Sequence, residues 1–132
     1  MNWSHAQINS LKDFQWQKRL VVIYTADDES VTLQKQLDEI KKEKDSFEER
    51  DLQVIVLQNQ KVDVWNSVET HQLKFEQIQS VLGIDETKNY QNILIGKDGG
   101  VKLKRNSPIS NQKLFDTIDA MPMRQREMRN RH

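Results

Sequence analysis

At 132 residues, with 36% hydrophobic and 30% charged side chains, the chain has the size and composition of one globular domain. Its 20 basic and 20 acidic residues balance, which argues against generic nucleic-acid binding by the whole surface. The absence of cysteine excludes disulfides, thiolate metal sites and thiol nucleophiles, because each of these requires a sulfur atom. The longest apolar run is far shorter than the roughly 20 residues of a membrane-spanning helix, so no membrane span is predicted.

The first half of the chain predicts a strand, a helix and a second strand. Residues 20–24, LVVIY, form a continuous apolar run that is typical of a strand buried on both faces. Apolar residues then recur at helical spacing between charged ones, at Leu33, Leu37, Ile40 and Phe47. Either Ser30 or Thr32 is placed to cap this helix. Residues 52–57, LQVIVL, form the second strand, and a strand-helix-strand order favours a parallel crossover unit.

The second half predicts a loop, a helix, a β-hairpin and a last helix. Polar residues without periodicity predict the loop over residues 59–70. Apolar spacing then restores a helix, with Gly83 as its C′ residue. Residues 92–105, NILIGKDGGVKLKR, predict a hairpin, because Asp-Gly and Gly-Gly supply the positive φ that primed turns need. The apolar pattern of residues 110–120 indicates the final helix.

The resulting order, β-α-β-α-β-β-α, predicts an α/β fold of thioredoxin-like type. It is a three-layer sandwich with a mixed four-stranded sheet, in which a parallel pair comes first and an antiparallel hairpin last. We expect a single domain over residues 1–132, with an N-terminal extension at 1–15 and a basic C-terminal tail at 122–132.

Three strings sharpen this prediction: LxxFxWxxR at residues 11–19, ILIGKDGGVKLK at 93–104 and IDAMPMRQREM at 118–128. With them the chain resembles a bacterial family of small domains of unknown function. That family is similar to the peroxiredoxin-like domains of sushi-repeat and coiled-coil extracellular matrix proteins. The resemblance covers residues 11–128 and implies a thioredoxin-like fold, no established reaction and frequent export.

The compartment stays open at this stage. The resemblance favours a secreted or periplasmic protein whose leader has been removed, and a cytoplasmic location is the alternative. The first residues, MNWSHAQINSL, have no basic stretch followed by an apolar one, so no signal peptide is predicted in the chain itself.

The resemblance also locates the redox pocket that thioredoxins and peroxiredoxins would have. Their reactive cysteine follows the first strand, at the start of a helix whose N-terminus stabilises the thiolate. Here residues 24–30 read YTADDES, and the position of the family's cis-proline reads NYQ at 89–91. Thiol oxidoreductase and peroxidase activities are therefore excluded, and no other catalytic motif is present.

Three hypotheses of function follow. The leading one is a non-catalytic interaction domain whose partner is unknown. Trp65, within the predicted loop, either fills a satellite core or contacts that partner, since tryptophan is enriched at interface hot spots. The second is a small-ligand binder or a cysteine-independent enzyme that reuses the former redox cleft. It requires the side chains of Thr25, Asp27, Asp28 and Gln91 to converge.

The third hypothesis is polyanion binding by a basic face that contains Arg124 and Arg126. Such a face would also include Arg129, Arg131, Lys102, Lys104 and Arg105. A solvated tail is the competing interpretation, because arginine is favourable near a helix C-terminus in any case.

Neither a metal nor a cofactor is predicted. The carboxylates at 27–29 lack the spacing of a calcium loop and are explained by their position at a helix N-terminus. The three histidines, His5, His71 and His132, are too far apart in the sequence to form a ligand pair. Trp16 is expected to pack against the sheet edge and Arg19 to pair with a carboxylate, the alternative being an aromatic and basic contact surface.

Overall fold

A five-stranded mixed β-sheet organises the chain in a computed structural model that describes residues 8–65 and 71–130. The strands are β1 (Arg19–Thr25), β2 (Leu52–Gln58), β3 (Lys61–Trp65), β4 (Tyr90–Ile95) and β5 (Val101–Arg105). Their spatial order is β3-β2-β1-β4-β5. β1 and β2 are parallel, and the other neighbouring pairs are antiparallel. The thioredoxin-like α/β prediction is confirmed, with one strand more than the four expected.

The helices are α1 (Val31–Lys42), α2 (Lys44–Glu49), α3 (Phe75–Leu82), α4 (Asn111–Asp119) and α5 (Pro122–Asn130), preceded by a short 3-10 helix (Leu11–Phe14). The first predicted helix is interrupted at Glu43, whose backbone leaves the helical region. Of the two candidate caps, Ser30 is the one used: its Oγ accepts from the Leu33 amide at 3.0 Å. Gly83 closes α3 at φ +63°, as the sequence predicts.

The sheet separates two apolar layers. Because successive strand residues point to opposite faces, the apolar residues of β1, β2 and β4 supply both layers. On one face the strands pack against α1, α2 and α4, where Phe47 and Phe115 meet edge to face at 5.3 Å. On the other face they pack against α3 and the 3-10 helix, which contributes Phe14. The region that the sequence marks as an N-terminal extension thus joins the core from Ile8 onward.

The loop predicted for residues 59–70 is partly wrong. Residues 61–65 form the edge strand β3, antiparallel to β2. Asn59 and Gln60 connect the two strands and both have positive φ, at 50° and 62°, which is the backbone of a type I′ hairpin. The sequence concealed this turn because glutamine, unlike glycine, gives no signal for positive φ. Residues 66–70 of the predicted loop lie outside the described residues.

The predicted hairpin of residues 92–105 is present as β4 and β5, with a different turn. The Gly99 amide donates to the Gly96 carbonyl at 3.0 Å, and the Gly96 amide donates to the Gly100 carbonyl at 2.9 Å. Gly99 alone in this turn has positive φ, at 86°. The chain therefore reverses through Lys97 and Asp98, which do not have positive φ, followed by Gly99 in the left-handed region. The predicted two-residue primed turn is not used.

The basic C-terminal segment is largely a packed helix. α5 spans most of the tail predicted at 122–132, and its residue Arg124 is buried. The last two residues lie outside the described part. Among the described residues, no helix has the length and apolar character that crossing a bilayer requires.

Candidate functional site

The position at which thioredoxins and peroxiredoxins carry their reactive cysteine corresponds here to the end of β1. Thr25, Asp27 and Asp28 line an open, polar concavity of about 780 Å³ together with Asn89 and Tyr90. Within this loop the polar groups bind one another: Thr25 Oγ1 accepts from the Asp27 amide at 3.2 Å, and Asp27 Oδ1 accepts from the Glu29 amide at 2.9 Å. These contacts are those of a stable turn at the start of α1.

Gln91 does not converge with these residues. Neighbouring residues in a strand face opposite sides of the sheet, so Tyr90 faces the concavity and Gln91 faces away from it. Gln91 is buried, its Oε1 accepts from the Asp85 amide at 3.0 Å, and its Nε2 donates to Asn106 at 3.3 Å. The predicted four-residue cleft therefore lacks the Gln91 side chain. Of its other three members, Asp27 and Asp28 lie on a solvent-exposed loop, and Thr25 is the buried last residue of β1.

A buried polar network lies behind the concavity. The Tyr90 hydroxyl donates to Gln36 Oε1 at 2.5 Å, and Gln36 Nε2 donates to Asn92 Oδ1 at 2.6 Å. Asn92 Oδ1 also accepts from the Ile109 amide at 3.0 Å. Burial raises the pKa of Tyr90 to about 12, against a smaller opposing effect of the Asn92 side chain. A phenol held protonated in this way joins α1 to β4 and offers no base for catalysis at neutral pH.

At the opposite end of the sheet, charged side chains from distant parts of the chain meet. We call this group the ion-pair cluster; it consists of Arg19, Glu49, Arg50, Asp51, Lys97, Asp119, Arg124 and Glu127. Arg19 begins β1, Asp51 precedes β2, and Lys97 follows β4. Each of the three strings that carry the family resemblance contributes at least one member.

Glu127 lies at the centre of the ion-pair cluster. Its two carboxylate oxygens accept from the two terminal nitrogens of Arg19, both at 3.1 Å, and Oε2 also accepts from Lys97 Nζ at 2.8 Å. Lys97 in turn reaches Asp51 at 2.9 Å. Burial acts to raise the pKa of Glu127, but the hydrogen bonds and charges of Arg19 and Lys97 outweigh it, so that pKa lies below its usual value.

Asp119 lies at the centre of a second group of contacts in the ion-pair cluster, with Arg50 and Arg124. It accepts two hydrogen bonds from Arg50, at 2.9 and 3.0 Å, and one from Arg124 Nε at 3.1 Å. Burial again acts to raise the pKa of Asp119, and the two arginines lower it overall. Arg50 also stacks over the Phe115 ring at 4.2 Å. The two carboxylates are thereby held ionised, which fits a structural cross-link better than an acid-base pair.

Arg124 and Arg126 lie in different environments. The Arg124 side chain is 1% exposed and pairs with Asp119, while Arg126 lies on the exposed face of α5. On the hairpin, Lys102 is bound to Asp98 at 2.9 Å. The positive charges of the basic segment are therefore dispersed, and Arg124 is not part of an exposed basic face.

Arg19 pairs with a carboxylate, as the sequence predicts, but the packing expected for Trp16 is wrong. The Trp16 residue is 61% exposed and has φ +71°, a backbone region that non-glycine residues rarely adopt. Its amide donates to the Lys97 carbonyl at 2.6 Å, and the neighbouring Gln15 side chain donates to the Asp98 carbonyl at 2.9 Å. The hairpin turn thus fixes the tryptophan at the surface.

An apolar groove of about 170 Å³ is lined by residues on either side of this tryptophan in the chain, among them Gln15 and Lys18. We call it the Gln15 groove; its lining includes Leu11, Gln15, Lys12, Lys18, Val81 and Leu82. Val81, on α3, is 74% exposed. The sequence shows the apolar spacing of α3 but not that Val81, in its last turn, is left exposed.

Trp65 ends β3 and is partly buried against the core. Its ring lies 5.8 Å from Lys41 Nζ, and its carbonyl accepts a hydrogen bond from the Gln53 side chain. Among the described residues, no group of three or more His, Asp or Glu side chains is arranged to hold a metal ion.

The model of one protein family, described as "Domain of unknown function (DUF4174)", matches residues 10–127. The chain belongs to this family. Solved structures similar to this DUF4174 domain are peroxiredoxin-like. Reduced 2-Cys peroxiredoxin of Plasmodium vivax is 15% identical, with a TM-score of 0.60, and the match covers 88% of this chain and 84% of the other. A protein named Trgpx, in its apo form, is 21% identical with a TM-score of 0.50, over 82% of each chain.

At these identities the likeness shows the fold alone. The DUF4174 domain therefore has a thioredoxin-like fold and no cysteine, which is consistent with a role outside thiol redox chemistry. The family match ends at Glu127, so it includes Arg19, Lys97 and Arg124 as well as the loop of Asp27.

Proposed function

We propose that this domain is a non-catalytic binding module that engages a protein segment through Trp16 and the Gln15 groove. The observation that carries the proposal is the conformation of Trp16. A left-handed backbone at a non-glycine residue costs of the order of 1 kcal/mol or more, and such strain is concentrated at functional sites. Here the strain holds a large aromatic side chain in solvent, where it gains little from burial.

The Gln15 groove is a second feature that favours partner binding at this surface. Its volume of about 170 Å³ suits one or two apolar side chains, and the exposed Val81 extends its wall. Lys12 and Lys18 also line it, and neither has an ion-pair partner among the described residues. Charge complementarity therefore favours an occupant with apolar side chains next to Asp or Glu. Tryptophan and a desolvated apolar pocket are the usual components of a hot spot.

The proposal also includes a bacterial source, export from the cell and similarity to the domains of matrix proteins. They rest on the resemblance of the three strings, and they would place the partner outside the cytoplasm. An exported binding module needs no thiol chemistry of its own, so the loss of the reactive cysteine is compatible with it.

The two other hypotheses have weaker support. The former redox cleft is concave, but the polar groups of its loop bind one another and Gln91 points to the other side of the sheet. Polyanion binding loses Arg124, which is buried and paired, and retains the exposed Arg126.

Selection of random displayed peptides on the full chain tests the proposal. We expect the enriched peptides to share apolar residues flanked by Asp or Glu, and to bind Trp16→Gly or Val81→Ser at least about tenfold more weakly, a loss typical of a hot spot. Glycine adopts positive φ without strain, so Trp16→Gly should keep the free energy of unfolding within about 1 kcal/mol of the wild type. The loss of binding would then not reflect unfolding.

Val31→Ser is the matched control, because Val31 is also an exposed apolar residue on a helix but does not line the groove. It should bind the selected peptides as the wild type does. Failure to enrich any peptide above a bare support would contradict the proposal. Equal binding by the wild type and Trp16→Gly would do the same.

A further inference from the structure

A second pocket, remote in sequence from Trp16, lies between β3 and the two helices that follow β1. It is lined by Ile40, Lys41, Lys44, Phe47 and Trp65 and has a volume of about 210 Å³. Ile40 and Phe47 are core residues, 2% and 0% exposed. The break between α1 and α2 separates the two lysines, and Trp65 closes the side toward the sheet edge. We call this the Trp65 pocket.

The pairing of β3 with β2 determines the face of the sheet on which Trp65 lies. Trp65 pairs with Val54 across the β2–β3 ladder, so its side chain lies on the same face of the sheet as α1 and α2. The Gln53 side chain donates a hydrogen bond to the Trp65 carbonyl. An aromatic wall of this kind is preorganised, which lowers the entropy lost when a ligand binds.

The charged residues that line the Trp65 pocket are of one sign. Both charged residues in its lining are lysines. Lys41 contacts the Trp65 ring and has no carboxylate partner among the described residues. Lys44 has Glu48 at 3.9 Å, and since both of these side chains are more than half exposed, that pair is weak. The lining of the pocket therefore combines two lysine ammonium groups with the apolar side chains of Ile40, Phe47 and Trp65.

We infer that the Trp65 pocket binds a small monocarboxylate with an apolar body. The body would lie against Ile40, Phe47 and Trp65, and the carboxylate between Lys41 and Lys44. A cavity of about 150 Å³ is enough to hold a benzene ring, so the Trp65 pocket accepts one ring or a short alkyl chain. This inference is independent of the proposed function, because it involves neither Trp16 nor the Gln15 groove.

Phenylacetate and its neutral analogue phenylacetamide are the probes. The full chain, labelled with ¹⁵N, is titrated to about 10 mM, which detects millimolar affinity. The indole N–H signal of Trp65 is assigned by its absence from the Trp65→Phe spectrum. We expect this signal to shift saturably with phenylacetate, while phenylacetamide binds at least about fivefold more weakly because it lacks the charge. Salt at about 0.5 M should weaken phenylacetate binding and leave phenylacetamide unaffected.

The Lys41→Gln, Lys44→Gln double variant should bind the two probes equally. Lys35→Gln is its matched control, since Lys35 is an exposed lysine of α1, like Lys41, but does not line the pocket, and it should keep the preference for phenylacetate. An unshifted Trp65 signal would overturn the inference. So would equal affinity of the wild type for the acid and the amide, or a response confined to the Trp16 signal.

Discussion

Replacing Glu127 with glutamine is expected to lower the free energy of unfolding by about 3 kcal/mol at pH 7. Arg19 is completely buried and Lys97 is 9% exposed, and both rely on this carboxylate. The substitution leaves two buried cations with one partner less, which costs more than the pair itself contributed. Urea denaturation of the two proteins measures the difference.

Glu39→Gln is the matched control, because Glu39 also pairs with a lysine, at 3.0 Å, but both partners are mostly exposed. Surface pairs contribute about 0 to 1 kcal/mol. An effect of Glu127→Gln as small as that of Glu39→Gln would show that the ion-pair cluster does not stabilise the fold.

The same carboxylate gives the fold a dependence on pH. The pKa of Glu127 is lowered in the folded state, so its stabilising contribution is complete above the ordinary glutamate pKa and is lost as the pH falls through the folded pKa. We expect wild-type stability to decline below about pH 4.5. The decline should be shallower in Glu127→Gln, which has no proton to gain at that position. Parallel pH profiles of the two proteins would refute this.

Arg124→Ala should cost about 3 kcal/mol of stability, whereas Arg126→Ala should stay within about 0.5 kcal/mol of the wild type. The two residues are two positions apart on α5, but Arg124 is buried against Asp119 and Arg126 is exposed. Removing Arg124 empties packed volume and leaves the partly buried Asp119 with Arg50 as its remaining partner. Arg50 limits the loss, since it continues to neutralise the carboxylate.

Thermal and urea unfolding of both variants, followed by circular dichroism, checks this contrast. Near-equal effects of the two substitutions would mean that α5 is not docked in solution, which is the solvated tail that composition suggested. A large effect of Arg124→Ala alone supports the docked helix.

The sequence predicted the parts of this fold that depend on local pattern. The apolar runs at 20–24 and 52–57 became β1 and β2, and Ser30 and Gly83 cap their helices as expected, because periodicity and caps are local properties. The strand β3 was missed because the turn before it, Asn59-Gln60, adopts positive φ without a glycine. Only its pairing with β2 makes that backbone favourable.

The site was less predictable because it depends on register and on burial. The position of Gln91 in the chain predicts a cleft residue, but its pairing with Tyr24 places its side chain on the other face of the sheet. Glu127, Asp119 and Lys97 look like ordinary surface charges in the sequence. Their importance comes from partners up to 108 residues away, which no local pattern reveals.

That separation has a consequence for how the molecule folds and how long it stays folded. The contact between Arg19 and Glu127 closes almost the whole chain, so the entropy of loop closure disfavours it until the sheet has formed. Interactions made after the folding barrier slow unfolding more than they accelerate folding. We therefore expect the ion-pair cluster to form late in folding, after α5 has been synthesised, and to slow unfolding of the native state more than it accelerates folding.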